Sequence, residues 1–413
     1  MNLLDANDQS GQYPQSWYAA TTDALAPFPA LTGKIQADVC VIGAGFTGLS
    51  AALHLAEAGR DVILIDAQRV GFGASGRNGG QLGSGQRVEQ PYLEKMVGQA
   101  DAQKLWHLAR DAKTLVKDLI KRHNINCYLR PGVAWTASNA QDVQELHAYA
   151  DHMGEKYDYE VQKLDKVAMQ ALCPSPDYHG GVMDWDAAHL HPLRLAIGLA
   201  QAAKSAGVRI YEQTRAEHIE EAQPARITTQ HGHIVADQII VAANGYLGNL
   251  APKVARRVMP INNFIAATKP LGPDANRVLT KDVAVADGRF VVNYFRLSHD
   301  GRLLFGGGES YGYKFPQDIA AKVRKPMCEI FPHLRDVDID YAWGGTLAIT
   351  MKRMPYLTRL SPNILSASGY SGHGVGTAIH AGQLMAMAVQ GQSDGFEKCA
   401  CAAAQPDCDS GSL

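Results

Sequence analysis

The stretch A-D-V-C-V-I-G-A-G-F-T-G-L-S-A-A-L, Ala37 to Leu53, decides the fold. Ala37–Ile42 is a short apolar strand, and Phe46–Ala58 is a helix of Ala, Leu and Gly closed by Gly59. Between them lies G-x-G-x-x-G. Gly43 permits the sharp turn, Gly45 the approach of backbone to a pyrophosphate, and Gly48 close helix–strand packing. The helix start offers free N–H groups and partial positive charge to phosphate. A second strand, Asp61–Asp66, completes a βαβ start, and its apolar run indicates a parallel sheet covered on both faces. Asp66 lies 66 − 43 = 23 residues after the first glycine, where a carboxylate accepts ribose hydroxyls and repels a 2′-phosphate. A dinucleotide other than NADP is expected. The alternative is a glycine-tolerant turn with Asp66 as a surface cap.

The 413 residues suffice for two domains or one two-lobed one. Hydrophobic residues at 46% and charged residues at 19% support a large core. A net charge of −2 without a basic run excludes the usual nucleic-acid footprint. No apolar run reaches bilayer length, and residues 1–8 lack a basic, then apolar, leader. Seven scattered cysteines without a CxxC pair suit a reducing compartment, so no membrane partner and a cytoplasmic location are expected. Residues 1–35, with Pro27 and Pro29, read as an arm lying on the surface.

Further along, Gly71–Gly85 is a second glycine-rich run, dispensable for NAD but suited to a long flat cofactor. Gln103–His123 is a helix with a stripe of Leu105, Leu108, Ala112, Leu115, Val116 and Leu119; another covers 140–153. Leu193–Ser205 is helical and Val208–Glu212 a strand, followed by strands Ala225–Gln230 and Ile234–Ala243. Phe290–Leu297, Asp300-Gly301 and Leu303–Phe305 signal an antiparallel hairpin. Asn363–Ser368 is a strand and Val375–Val389 a helix.

Three phrases carry a resemblance: G-A-G-F-T-G-L-S at 43–50, G-F-G-A-S-G-R-N-G-G-Q at 71–81 and G-Y-S-G-H-G at 369–374. Together the chain resembles the FAD-dependent D-amino-acid-oxidase superfamily. S-G-R-N-G-G-Q-L at 75–82, H-L-H-P-L-R-L-A-I-G at 189–198, N-Y-F-R-L at 293–297 and G-Y-S-G-H-G-V at 369–375 make it most similar to the γ-glutamylputrescine oxidase branch. The likeness runs from about Trp17 to Phe396.

That resemblance implies an α/β fold: a Rossmann-type FAD-binding domain (36–90, 190–255, 345–396) with an interleaved antiparallel-sheet substrate domain (91–189, 256–344). Residues 397–413 are expected to be a disordered tail, and the C-x-C at Cys399 and Cys401 with Cys408 is not expected to bind metal. The resemblance also implies oxidation of an amine by hydride transfer to flavin N5, with O2 reoxidising the flavin to give H2O2. Alternatives are an amino-acid dehydrogenase of the same superfamily and a flavin-binding protein without turnover.

The cofactor residues implied are Gly43, Gly45, Phe46, Thr47, Gly48, Asp66 and Ala67 in the first unit. The second run adds Gly73, Ala74, Ser75, Arg77, Asn78, Gly79, Gly80, Gln81 and Leu82. Ala216, Ala243, Asn244 and Gly245 fall at the adenosine half, and Tyr370, Ser371, Gly372, Gly374 and Val375 at the flavin pyrimidine edge. No cysteine falls in that last loop, so the flavin is expected to be non-covalent. His373 and Tyr294 are the candidate catalytic residues: His373 as hydrogen-bond partner or mere cap, Tyr294 as a ring facing the amine or as core. By period two, Tyr294 and Arg296 share a strand face with Phe290 and Val292. Trp343 and Arg353 are candidate substrate contacts, Arg353 for a distal carboxylate or in a surface ion pair. Arg77 is a phosphate or carbonyl contact, and His189 and His191 are pocket wall or structural. Gly376 stands where sarcosine-type relatives carry a carboxylate-binding lysine, which favours an amine over an amino acid.

Overall fold

Strand Gly33–Ile42 lies inside the first of two sheets, paired in parallel with Val62–Ile65 on one side and Gly232–Val241 on the other. The parallel core extends to Arg209–Tyr211 and to Ile364–Ser368. Ala225–Thr229, Ala216–Glu220 and Tyr356–Ser361 add antiparallel margins. All four residues of Val62–Ile65 are buried, as a strand covered on both faces requires. Helices Phe46–Glu57 and Gly374–Val389 pack against each other, and helix Pro192–Ser205 packs on the first of them. The computed structural model describes residues 3–403.

Small residues make the helix contact close. A Cβ added at Gly382 would lie 2.3 Å from Thr47 O, and one at Gly48 would lie 1.8 Å from Gly43 O. Gly43 has φ +108°, and its Cβ would sit 2.6 Å from Ala242 O. No other residue fits that turn without moving two strands.

The second sheet runs, in order, Ile339–Ile349, Met259–Thr268, Leu303–Ser310, Tyr294–Leu297, Ala284–Asp287, Arg130–Ala137, Gly180–His189 and Gln81–Leu82, with Gln162–Leu164 also on Gly180–His189. Its neighbours are antiparallel except Ala284–Asp287 with Arg130–Ala137. The fold is thus mixed α/β on two sheets. Gln81–Leu82, at the end of the second glycine-rich run, closes the edge of the second sheet.

Three expectations need correcting. The N-terminal arm is not confined to the surface: Trp17 and Tyr18 are 1% and 0% exposed. Their rings pack with His191, His299 and Trp343, and Trp17 Nε1 donates to Asp300 at 3.2 Å. The expected hairpin starts later than Phe290, at Tyr294. Asp287 accepts the N–H groups of Asn293 (2.9 Å) and Arg289 (3.3 Å), which closes 288–293 into a loop and leaves Phe290 89% exposed. The chain from 397 to 403 is not a loose tail, because helix Asp394–Ala403 buries Phe396 and Ala402, and Arg359 meets Glu397 at 3.1 Å. The rest of that expected tail, including Cys408, lies outside the described residues. Helix Ile319–Ile330 was not foreseen; it buries Val323, Met327 and Ile330 despite the interior Pro326.

Candidate functional site

Two helix starts open onto one cavity of about 700 Å³ that runs between the sheets. The first belongs to Phe46–Glu57, whose N-cap, Gly45, has no side chain to cap it. Ser75 Oγ accepts the Phe46 N–H at 2.9 Å, and the rest of that turn has no intrahelical partner for its N–H groups. A Cβ on Gly45 would come within 2.9 Å of the same Ser75 Oγ, so the glycine keeps the cradle open. The second start belongs to Gly374–Val389, also without a side-chain cap. Thr47 Oγ1 and Tyr370 OH join the two loops at 2.6 Å.

Asp66 stands at the cavity wall after its strand. Its Oδ2 accepts Ala44 N–H at 2.6 Å and its Oδ1 accepts Gln68 N–H at 2.7 Å. Burial pushes its carboxyl up to about 6, against the pull of those two backbone bonds. The opposite end of the cavity is lined by Val133, Trp135, Ala286, Val292, Asn263 and Tyr294. Tyr294 OH donates to Asn263 Oδ1 at 2.6 Å, and the ring fills space that a Cβ at Gly79 or Gly306 would take. Burial holds its phenol protonated.

Most sequence-predicted residues converge here. Gly43, Gly45, Phe46, Thr47, Asp66 and Ala67 line the cavity, as do Gly73, Ala74, Ser75 and the run Arg77 to Gln81. So do Ala216, Ala243, Asn244, Tyr294 and Arg353, together with Tyr370 to Val375. Four do not. Gly48 is the helix–strand contact already described. Leu82 is buried behind the loop, against Gly376. Gly245 packs on the backbone of Leu347. Trp343 is core: its Nε1 donates to Arg77 O at 3.0 Å, its ring meets Tyr18 edge-on, and it does not line the cavity.

The open alternatives also resolve. Arg77 is buried and bonded to Phe72 O (2.6 Å), Gly344 O (3.0 Å) and Asp8 (2.9 Å), which ties the second glycine loop to the second sheet. Its Nη2 is buried without a protein partner. His189 and His191 are structural. His191 caps Pro192–Ser205 by accepting Arg194 N–H, and His189 contacts Asp282. Arg353 has no ion-pair partner among the described residues. Gly376 does not face the cavity: a Cβ there would lie 3.1 Å from Leu82 and 3.8 Å from Ala112.

His373 is held by a hydrogen bond between Nε2 and Gly85 O at 3.0 Å. A carbonyl only accepts, so Nε2 carries the proton and Nδ1 is the free acceptor. Burial and Arg87 lower its pKa to about 4. It is a neutral anchor between the second glycine loop and the helix start. Val133, Trp135, Asn263, Arg87 and Glu309 were missed as wall residues. Only Val133 and Trp135 left a signal, alternating along one strand.

The family description "FAD dependent oxidoreductase" (DAO) matches residues 38–388. The chain belongs to that family. FAD is therefore its cofactor, and it is an oxidoreductase. A probable oxidoreductase, OrdL, of Rhizobium meliloti is 43% identical over 92% of this chain and 89% of that one. The γ-glutamylputrescine oxidoreductase of Escherichia coli is 39% identical over 94% and 91%. Glycine oxidase from Geobacillus kaustophilus shares the fold at TM-score 0.74 and 20% identity, covering 88% and 96%. The residues present fit the cofactor: two uncapped helix starts, a glycine cradle that a Cβ would fill and a carboxylate at the strand end all face one cavity. Among the described residues no helix is long and apolar enough to cross a membrane.

Proposed function

We propose that the chain oxidises a primary amine, γ-glutamylputrescine or a related polyamine derivative, to the aldehyde with release of ammonia and H2O2. The observation that carries this reading is the single cavity joining the two helix starts to an aromatic chamber at Tyr294 and Trp135. The E. coli relative, at 39% identity, supplies the substrate class. Bound FAD supplies the hydride acceptor for the carbon beside the amine nitrogen.

The chain's own residues bind and orient. The turn Gly43–Thr47 offers N–H groups to the pyrophosphate, and Asp66 accepts ribose hydroxyls. Ala216, Ala243 and Asn244 hold the adenosine end, and Gly73–Gln81 lies along the ring system. The start of Gly374–Val389 faces the flavin edge, where its partial positive charge stabilises negative charge. Tyr294 and Trp135 present ring faces to the amine. Neutral His373 positions the loop.

In air, γ-glutamylputrescine consumption should yield H2O2 and ammonia in equal amounts. Ammonia formed only with an added electron carrier would replace the oxidase by a dehydrogenase, and no turnover of any amine would overturn the reading.

Asp66 gives this site a pH dependence. Its raised pKa means that ionised Asp66 costs the FAD-free fold stability, a cost relieved as pH falls through about 6. Ribose O–H groups favour the ionised form, so FAD binding must expel the proton below about pH 6. FAD affinity should be flat above that pH and weaken as pH falls, by at most about tenfold per pH unit. FAD titrations of the stripped protein at about pH 8 and about pH 5 measure this. Equal affinities would remove Asp66 from the site, and Asp66→Asn should flatten the curve.

A further inference from the structure

The cavity wall holds charge that the reaction at the ring does not use. Arg87 follows the second glycine loop, Arg353 follows strand Ile339–Ile349, and Glu309 lies near the end of Leu303–Ser310; all three line the cavity. Among the described residues neither guanidinium has a side-chain hydrogen bond or ion-pair partner. Arg87 is half-buried, and its guanidinium is pulled below the usual arginine range by burial and by the like charge of Arg353. Arg353 also acts on Tyr311, whose OH donates to Glu309. Glu309 stands opposite Asn263 in the sheet, and Asn263 accepts the Tyr294 OH. One wall thus runs from the ring that faces the amine to these charges.

Two unpaired guanidiniums on the wall of one cavity call for an anion, and an arginine fork fits a carboxylate in two-bonded fashion. A carboxylate beside them answers to a cation. An α-amino-acid group presents both charges on neighbouring atoms.

We propose that Arg87, Arg353 and Glu309 form a receptor for a free α-amino-acid group carried at the end of the substrate opposite the reacting amine. The two arginines take its carboxylate and Glu309 its ammonium. This rests on the reading of the chain as an amine oxidase and names what that amine carries at its far end.

The test uses the FAD-loaded enzyme and three amines: γ-glutamylputrescine, its analogue lacking the α-carboxylate, and its analogue lacking the α-ammonium. Arg87→Ala and Arg353→Ala should each raise KM for γ-glutamylputrescine roughly 10- to 100-fold, the worth of a charge-assisted bond, with kcat kept. Neither should move KM for the analogue without the carboxylate. Glu309→Gln should discriminate only against substrates with the ammonium. Equal effects on all three amines, or loss of FAD from the arginine variants, would overturn the receptor. A second readout is independent of turnover: L-glutamine, which carries the same end group, should perturb the flavin spectrum of wild type and not of Arg87→Ala. If no amine is oxidised yet L-glutamine binds through these residues, the receptor stands and the functional reading fails. If amines are oxidised and L-glutamine binding is indifferent to all three substitutions, the reverse holds.

Discussion

Gly45→Val should purify colourless. The substitution places a branched side chain where Gly45 now leaves the first helix start open, with Ser75 Oγ only 2.9 Å from the nearest added carbon. Ser75 must move, and with it the acceptor for the Phe46 N–H. The added methyls occupy the approach of a pyrophosphate to the turn. Losing two charge-assisted bonds of about 1.5–3 kcal/mol each weakens FAD by roughly two to four orders of magnitude. The strand and helix on either side are held by contacts remote from residue 45, so folded but flavin-free protein is the expected product. Visible absorbance and far-UV circular dichroism of the same sample measure both parts. Yellow protein with normal flavin content would move the pyrophosphate away from this turn.

Trp17→Ala is the second large effect, and it concerns stability. Trp17 is 1% exposed, meets Tyr18, His191 and His299 at ring distances of 5.6, 5.1 and 5.1 Å, and donates to Asp300. The arm thereby ties helix Pro192–Ser205 to the turn after strand Tyr294–Leu297. Truncating a buried tryptophan costs about 3–5 kcal/mol through lost burial and the cavity left behind. Tyr92→Ala, at a residue 61% exposed, should stay within about 0.5 kcal/mol. Urea unfolding of the two variants compares them. Equal midpoints would return the arm to the surface.

The arm shows why part of the fold was hidden. Two aromatics among prolines and polar residues have no period, so nothing local distinguishes a core anchor from a surface strap. The first sheet was legible because Ile42, Val62 and Ile65 sit in runs that only a covered parallel strand tolerates, and because glycine turns have few other uses. The second sheet was half legible. The hairpin around Asp300-Gly301 announced itself, whereas Arg130–Ala137, Gly180–His189 and Ile339–Ile349 contain Pro131-Gly132, Gly180-Gly181 and Gly344-Gly345. Glycine and proline lower the local strand signal, and long-range pairing overrides it. Pro326 concealed a helix in the same way.

The site divides along similar lines. Residues on the glycine loops could be found because their spacing is tied to a phosphate. Arg87, Arg353 and Glu309 meet only through the folding of three separated segments. Trp343 failed for the opposite reason: a tryptophan beside two glycines looks like a pocket wall, yet its N–H is satisfied by Arg77 O and its ring by Tyr18.

Under the proposed function this FAD enzyme takes electrons from an amine that is not a simple amino acid. Anaerobic addition of γ-glutamylputrescine to the yellow protein tests it most directly. The flavin should bleach with γ-glutamylputrescine and stay oxidised with glycine, sarcosine or D-alanine. Bleaching by one of those amino acids, with γ-glutamylputrescine inert, would contradict it.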